Sequence, residues 1–130
     1  MKVLALDYGA ARTGVAVSDE TGLLARPVGI VDRAASQPGL DRLAVLAAEL
    51  GAERVVVGLP LTLRGERGEQ ARETEAFVEA LRQRLDLPVE TFDERFTTTL
   101  AQGAPSDVPE DARAAAYLLQ SWLDRARAKP

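Results

Sequence analysis

Two short apolar runs frame the start of the chain. Val3-Leu4-Ala5-Leu6 is apolar at every position, the pattern of a strand covered on both faces, and predicts a central strand over residues 3–7. Gly14 to Ser18 alternates and predicts a second strand, with the Gly9 region as a hairpin turn between them. Leu23 to Val31 predicts a third, and Pro27 within it cannot donate to a ladder, which assigns it to an edge. Asp41 to Leu50 carries Leu43, Leu46, Ala47 and Leu50 on one helical face and stops at Gly51. Val55-Val56-Val57 is a second doubly buried strand, ended by Gly58-Leu59-Pro60. Glu69 to Leu85 is a long helix with Ala71, Thr74, Val78, Leu81 and Leu85 on its apolar face. Pro88 to Phe92 alternates as a short strand, and Asp107 to Arg127 is the last helix, with Asp107 and Glu110 in capping-box spacing.

The order is βββαβαβα, an α/β domain with a five-stranded mixed sheet: an antiparallel meander first, parallel crossovers after. Strands 3–7 and 55–57 are expected at the centre, 23–31 and 88–92 at the edges. Such sheets place ligands at the carboxyl ends of their parallel strands. Asp7, Gly58-Leu59-Pro60 and Asp93-Glu94-Arg95 are expected to meet there.

Composition narrows the chemistry. The 130 residues amount to one domain, 46% hydrophobic and 28% charged. No run approaches the roughly 20 apolar residues of a membrane span, and no basic-then-apolar leader is visible. With no cysteine there is no disulfide framework or thiolate metal site, and a cytosolic location is expected. There is also no histidine, which excludes imidazole bases, His-based triads and most zinc sites. Hydrolytic chemistry would have to rest on carboxylates, hydroxyls, lysine, arginine or an oxygen-bound metal, for which magnesium or manganese is the match. The net charge of −4 argues against coating nucleic acid through bulk charge, while leaving room for a local basic patch.

Asp7 is the sharpest candidate. A carboxylate at the end of a buried strand is expensive unless something offsets its charge: a divalent metal, a phosphate-bound metal or, more modestly, the turn amides near Gly9. Asp93-Glu94-Arg95 reads either as a surface ion pair with a helix start or as a second contribution to the same site. Alternation lets only one of the two acids reach it, and Glu94 has the longer reach. Asp111 is either an acid favoured near a helix N-terminus or a third ligand, brought close by the small residues Ala112, Ala115 and Ala116. Three carboxylates from strand, strand and helix match a two-metal nuclease site, which needs no imidazole. Arg64, Arg67 and Arg72 flank Gly65 and Gly68 at the start of the long helix, where they would either pair locally with Glu66, Glu69 and Glu73 or take a substrate phosphate. Thr97, Thr98 and Thr99 read as caps of a short helix or as phosphate contacts.

Taken together, Leu6-Asp7-Tyr8-Gly9, Arg12, Gly14 to Asp19, Val57-Gly58-Leu59-Pro60, Asp93 to Thr98, and Asp111 with Ala114-Ala115 and Leu118-Leu119-Gln120 resemble the YqgF/RuvX family over nearly the whole chain. The resemblance implies a ribonuclease H-like fold related to the RuvC resolvases. It also implies magnesium or manganese held by Asp7, Glu94 or Asp93, and Asp111; Arg12, Arg64, Arg67 and Arg95 are the candidate substrate contacts. The implied activity is hydrolysis of structured nucleic acid: 5′-end maturation of pre-16S rRNA first, resolution of branched DNA second. One departure stands out. Family members carry a longer, basic segment before the last helix, whereas Phe96 to Ala112 contains no basic residue. That weakens salt-dependent grip, and a second copy of the chain or a protein partner would have to supply the missing contacts.

Two other classes compete. An actin-like ATPase places an aspartate and glycines similarly, but it needs two such domains around ATP. A non-catalytic domain in ribosome assembly or transcription is favoured by the missing basic segment and opposed by the three acids.

Overall fold

The computed structural model describes residues 1–98 and 108–128. Its elements are β1 (Val3–Asp7), β2 (Arg12–Ser18), β3 (Ala25–Asp32), α1 (Gln37–Leu50), β4 (Arg54–Leu59), α2 (Glu69–Arg84), β5 (Val89–Asp93), a 3-10 turn (Glu94–Phe96) and α3 (Glu110–Ala128). The sheet runs β3-β2-β1-β4-β5. β1 is antiparallel to β2 and parallel to β4, and β4 is parallel to β5. The expected centre and both expected edges are in place, Pro27 included.

Both faces of the sheet are covered, which is why β1 and β4 read as continuous apolar runs. Leu4, Leu6, Val55 and Val57 pack with Leu43 of α1 and Phe77, Val78 and Leu81 of α2. Val3, Ala5, Ala16 and Val56 face the other way, onto Ala115, Leu118, Leu119 and Leu123 of α3. Gln120 fastens α3 to the meander: its amide oxygen accepts from Ala25 N and its amide nitrogen donates to Leu23 O, each at 2.9 Å. Among the described residues, no helix is long and apolar enough to cross a membrane.

Several boundaries differ from the sequence expectation. α1 begins at Gln37, four residues before Asp41, because Ser36 caps it: its hydroxyl accepts from Gly39 N at 3.1 Å. Pro38 sits in the first turn, where its missing N–H costs nothing. β3 begins at Ala25, since the Asp19 carboxylate takes the amides of Leu23 and Leu24 at 3.0 and 3.3 Å and holds residues 19–24 as a loop. Those bonds, with the Thr21 hydroxyl first among them, keep the Asp19 carboxyl below its usual range. β2 begins at Arg12, two residues before the expected start at Gly14, so Gly14 lies inside the strand. The proposed Asp107 cap, and Thr99, lie outside the described residues.

Candidate active site

Alternation along the sheet decides what surrounds Asp7. Ala5, Ala16 and Val56 all face α3. Two residues further toward the carboxyl end of the sheet, the same face presents Asp7, Gly14 and Gly58. Asp7 and Gly14 are register partners, and one step past the Leu6–Val57 pair puts Gly58 level with them. An acid therefore stands between two glycines in one row.

Each glycine makes room for another acid. A Cβ on Gly14 would fall 1.8 Å from the Asp111 carbonyl oxygen, so the first turn of α3 rests directly on β2. A Cβ on Gly58 would fall 2.7 Å from Glu94 Oε2, so the Glu94 side chain lies across β4 toward Asp7. Sequence reading placed Gly14 at the start of the second strand and Gly58 among the stretches meeting at the site, but gave neither glycine the task of clearing space for an acid. The period-two continuation from Ala16 and Val56 was the available signal for both.

The electrostatics follow from this crowding. Burial, then the Coulomb field of Asp7 and a hydrogen bond to it, push the Glu94 carboxyl up to about 7. Asp7 is raised as well, by burial first and the charge of Asp111 second, with the Glu94 bond acting the other way. A proton held between the two acids is the natural state of such a pair. Asp111 meets Arg12, with Nε 3.3 Å from Oδ2. Among the described residues, no three acidic side chains are gathered closely enough to enclose a metal ion as they stand.

Asp93 does not join them. It accepts Arg95 N at 2.9 Å and Arg95 Nη2 at 2.6 Å, which caps the 3-10 turn and keeps its carboxyl below the usual range. Asp93 is the N-cap of this turn and Thr97 its C-cap, through its backbone N–H to Glu94 O at 3.0 Å, while Thr98 N donates to Ser121 Oγ at 2.9 Å. Of the candidate phosphate contacts, Arg95 is committed to Asp93 and Arg67 to Glu75 at 3.3 Å. Arg12 stays largely in solvent beside Asp111, and Arg64 is exposed on the loop before α2.

A cleft of about 130 Å³ opens beside the pair, lined by Asp7, Tyr8, Pro60, Gln70, Glu73 and Glu94 among others. Tyr8 is fixed in its wall by stacking on Phe77, with ring centroids 4.4 Å apart. Tyr8 and Gln70 carried no role in the sequence reading, because their place depends on how α2 docks.

Comparison with known proteins finds a matching family model, similar relatives and similar solved structures. The family model RuvX, described as Holliday junction resolvase, matches residues 1–125. A Chloroflexus aggregans protein that carries the provisional name pre-16S rRNA nuclease is 42% identical over 134 residues, covering 96% of this chain and 94% of the relative. A Mycobacterium tuberculosis protein of the same provisional name is 45% identical over 131 residues, covering 93% of this chain and 77% of its own. Among solved structures, Thermus thermophilus RuvC in complex with a Holliday junction substrate superposes with a TM-score of 0.66 at 16% identity, covering 98% and 95% of the two chains. The Fowlpox virus resolvase bound to Holliday junction DNA gives 0.55 at 12% identity, covering 99% and 100%. These likenesses give the chain the ribonuclease H-like fold.

Proposed function

Because this chain belongs to the RuvX family, we propose that it is a metal-dependent endonuclease that hydrolyses phosphodiester bonds in structured RNA, the precursor of 16S rRNA first among them. The observation that carries the reading is the Asp7–Glu94 pair: two half-buried acids, both raised, with Asp111 adjacent and a cleft beside them. Uncompensated negative charge at the end of a sheet is the environment that a divalent cation relieves.

The donor set fits magnesium or manganese, since it is all oxygen and comes from carboxylates on three separate elements. Asp7, Glu94 and Asp111 would hold the metal. When bound, it supplies Lewis-acid stabilisation of the attacking water and of the leaving oxygen. The chain's own residues do the rest. In the metal-free protein Glu94 is raised to about 7 and shares a proton with Asp7, and that proton would leave as the carboxylates take up the cation. Hydrolysis forms one bond from water oxygen to phosphorus, breaks the ester bond opposite, and delivers a proton to the leaving oxygen. Arg64, exposed on the loop before α2, and Arg12, which touches Asp111 through Nε alone, are the side chains offered to substrate phosphates.

Branched DNA is the second reading, favoured because the matching family model is itself described as a Holliday junction resolvase. Both are tested together by a cleavage assay in magnesium or manganese on a pre-16S 5′-end fragment and on a four-way junction. Asp7→Asn and Asp111→Asn are expected to abolish cleavage. Activity that survives both substitutions sinks the metal-nuclease reading, and the substrate cut faster by the wild type chooses between RNA and DNA.

A further inference from the structure

Among the described residues, Arg12 is in ion-pair contact with Asp111, and no basic side chain makes such a contact with Asp7 or Glu94. Its position is built in. A Cβ on Gly9 would fall 2.5 Å from the Arg12 carbonyl oxygen, so the β1–β2 turn closes tightly and fixes where Arg12 leaves the backbone. On the other side, contact between Gly14 and the Asp111 backbone fixes where Asp111 starts. The pair is nevertheless poor as a structural bond. The two side chains are 65% and 38% exposed, a setting in which ion pairs contribute little to stability. The contact runs through Nε, and a guanidinium in that geometry keeps its Nη donors for another acceptor.

We propose that Arg12 couples metal loading to substrate binding: it neutralises Asp111 in the metal-free protein and passes to a backbone phosphate of the nucleic acid once Asp111 serves a divalent cation. The proposal rests on the nuclease reading above. With Asp111 unclaimed by a cation, the positive charge of Arg12 is spent on an internal carboxylate, and the rim of the cleft repels phosphate. With Asp111 claimed, the same guanidinium is uncompensated beside the cleft and attracts phosphate. Linkage makes the effect reciprocal, so bound nucleic acid must tighten metal binding by the same factor. Arg12 is thus a positioning residue that prevents the acidic site from taking substrate before it can act.

The test is a double-mutant cycle on binding. Wild type, Arg12→Gln, Asp111→Asn and the double variant are titrated with a fluorescent four-way junction and with a pre-16S 5′-end RNA fragment, in EDTA and in calcium. In EDTA, Asp111→Asn frees Arg12 and is expected to tighten binding by about fivefold, the upper end of what an exposed ion pair is worth. In the Arg12→Gln background the same substitution is expected to change affinity by less than about twofold, little more than removal of one charge. Arg12→Lys, which keeps the charge, is expected to retain most of the coupling. Calorimetry with manganese alone is expected to show tighter metal binding by Arg12→Gln than by wild type. Equal gains from Asp111→Asn in both backgrounds overturn the coupling, and if the wild type still cuts in magnesium, the nuclease reading stands without it. Failure of the wild type to bind or cut either nucleic acid overturns both.

Discussion

Glu90 and Glu94 lie four residues apart, both half-buried, and they face opposite circumstances. Glu90, in β5, is paired with Arg54 of β4 and accepts Trp122 Nε1 of α3 at 3.2 Å. Its charge is neutralised, and its two oxygens tie two strands to a helix. Glu94, the residue immediately after the strand end, faces another acid, with no cation in ion-pair contact among the described residues. The same side chain is structural where its partners are supplied and costly where they are withheld. Withholding them at the carboxyl end of the sheet, the usual place for ligands in such folds, is the contrast on which the proposed metal site rests.

The widest separation between the two glutamates should be in activity. Glu94→Gln and Asp7→Asn are expected to lower cleavage on the order of a thousandfold, the scale of losing a positioned charged group at a reacting centre. Glu90→Gln is expected to cost less than about threefold, the residual effect of an outlying change. Single-turnover cleavage of the pre-16S fragment reads all three, and an equal loss in Glu90→Gln would break the comparison.

The glycines sharpen it by moving an acid without altering its charge. Gly58→Ala meets the end of a flexible side chain, Glu94 Oε2, and Leu118 Cδ1 at 3.2 Å. It is expected to lower cleavage by about tenfold to a hundredfold, as a displacement of about 1 Å can, with little change in Tm. Gly14→Ala meets backbone at 1.8 Å and must shift α3 itself. Its Tm should fall by the equivalent of about 1–3 kcal/mol of overpacking, and cleavage should fall with it. Gly29→Ala, with nothing within 4 Å, is the neutral control.

These positions also show where sequence reading stops. Strand order was legible because doubly apolar runs can only be central and Pro27 can only be at an edge. The candidates Asp7, Glu94 and Asp111 were legible as acids at strand and helix ends, and the structure brings Asp7 and Glu94 together with Asp111 nearby. The choice of Glu94 over Asp93 turned on reach and alternation, but the geometry adds a stronger reason: Arg95 occupies Asp93. That pairing, the Ser36 cap and the clearance at Gly14 and Gly58 arise from how elements meet. A composition scan scores glycine as a turn and arginine as a phosphate ligand, and only the packed structure distinguishes the alternatives.

Stability should separate the two glutamates in the opposite sense from activity. Glu90→Gln loses the Arg54 ion pair and is expected to destabilise the protein by about 1 kcal/mol, between an exposed pair and a charged hydrogen bond. Glu94→Gln removes a charge that the metal-free protein tolerates poorly, and in EDTA at neutral pH or above its Tm is expected to exceed that of the wild type. Urea denaturation of both variants checks the signs, and a loss in Glu94→Gln equal to that in Glu90→Gln would mean that Glu94 is held as firmly as Glu90.

The smallest effect, and the most specific, is the pH dependence of that difference. Glu94 has a carboxyl at about 7 in the folded protein against an ordinary value of 4.5. The folded state therefore binds its proton more tightly than the unfolded state, and the associated stability is fully present below about pH 4.5. It is lost as the pH rises through 7. Asp7, raised for the same reasons, contributes in the same direction. Asp19 and Asp93, both lowered, contribute in the other direction, and both remain in the Glu94→Gln variant, so the difference between variant and wild type largely isolates the pair. In EDTA the Tm advantage of Glu94→Gln should be near zero or negative at pH 4.5 and should grow by a few degrees toward pH 8. Magnesium or manganese should shrink it by compensating the charge in the wild type. An advantage that is flat across this range would mean that Glu94 feels no excess negative charge, and the contrast with Glu90 would then be one of position alone.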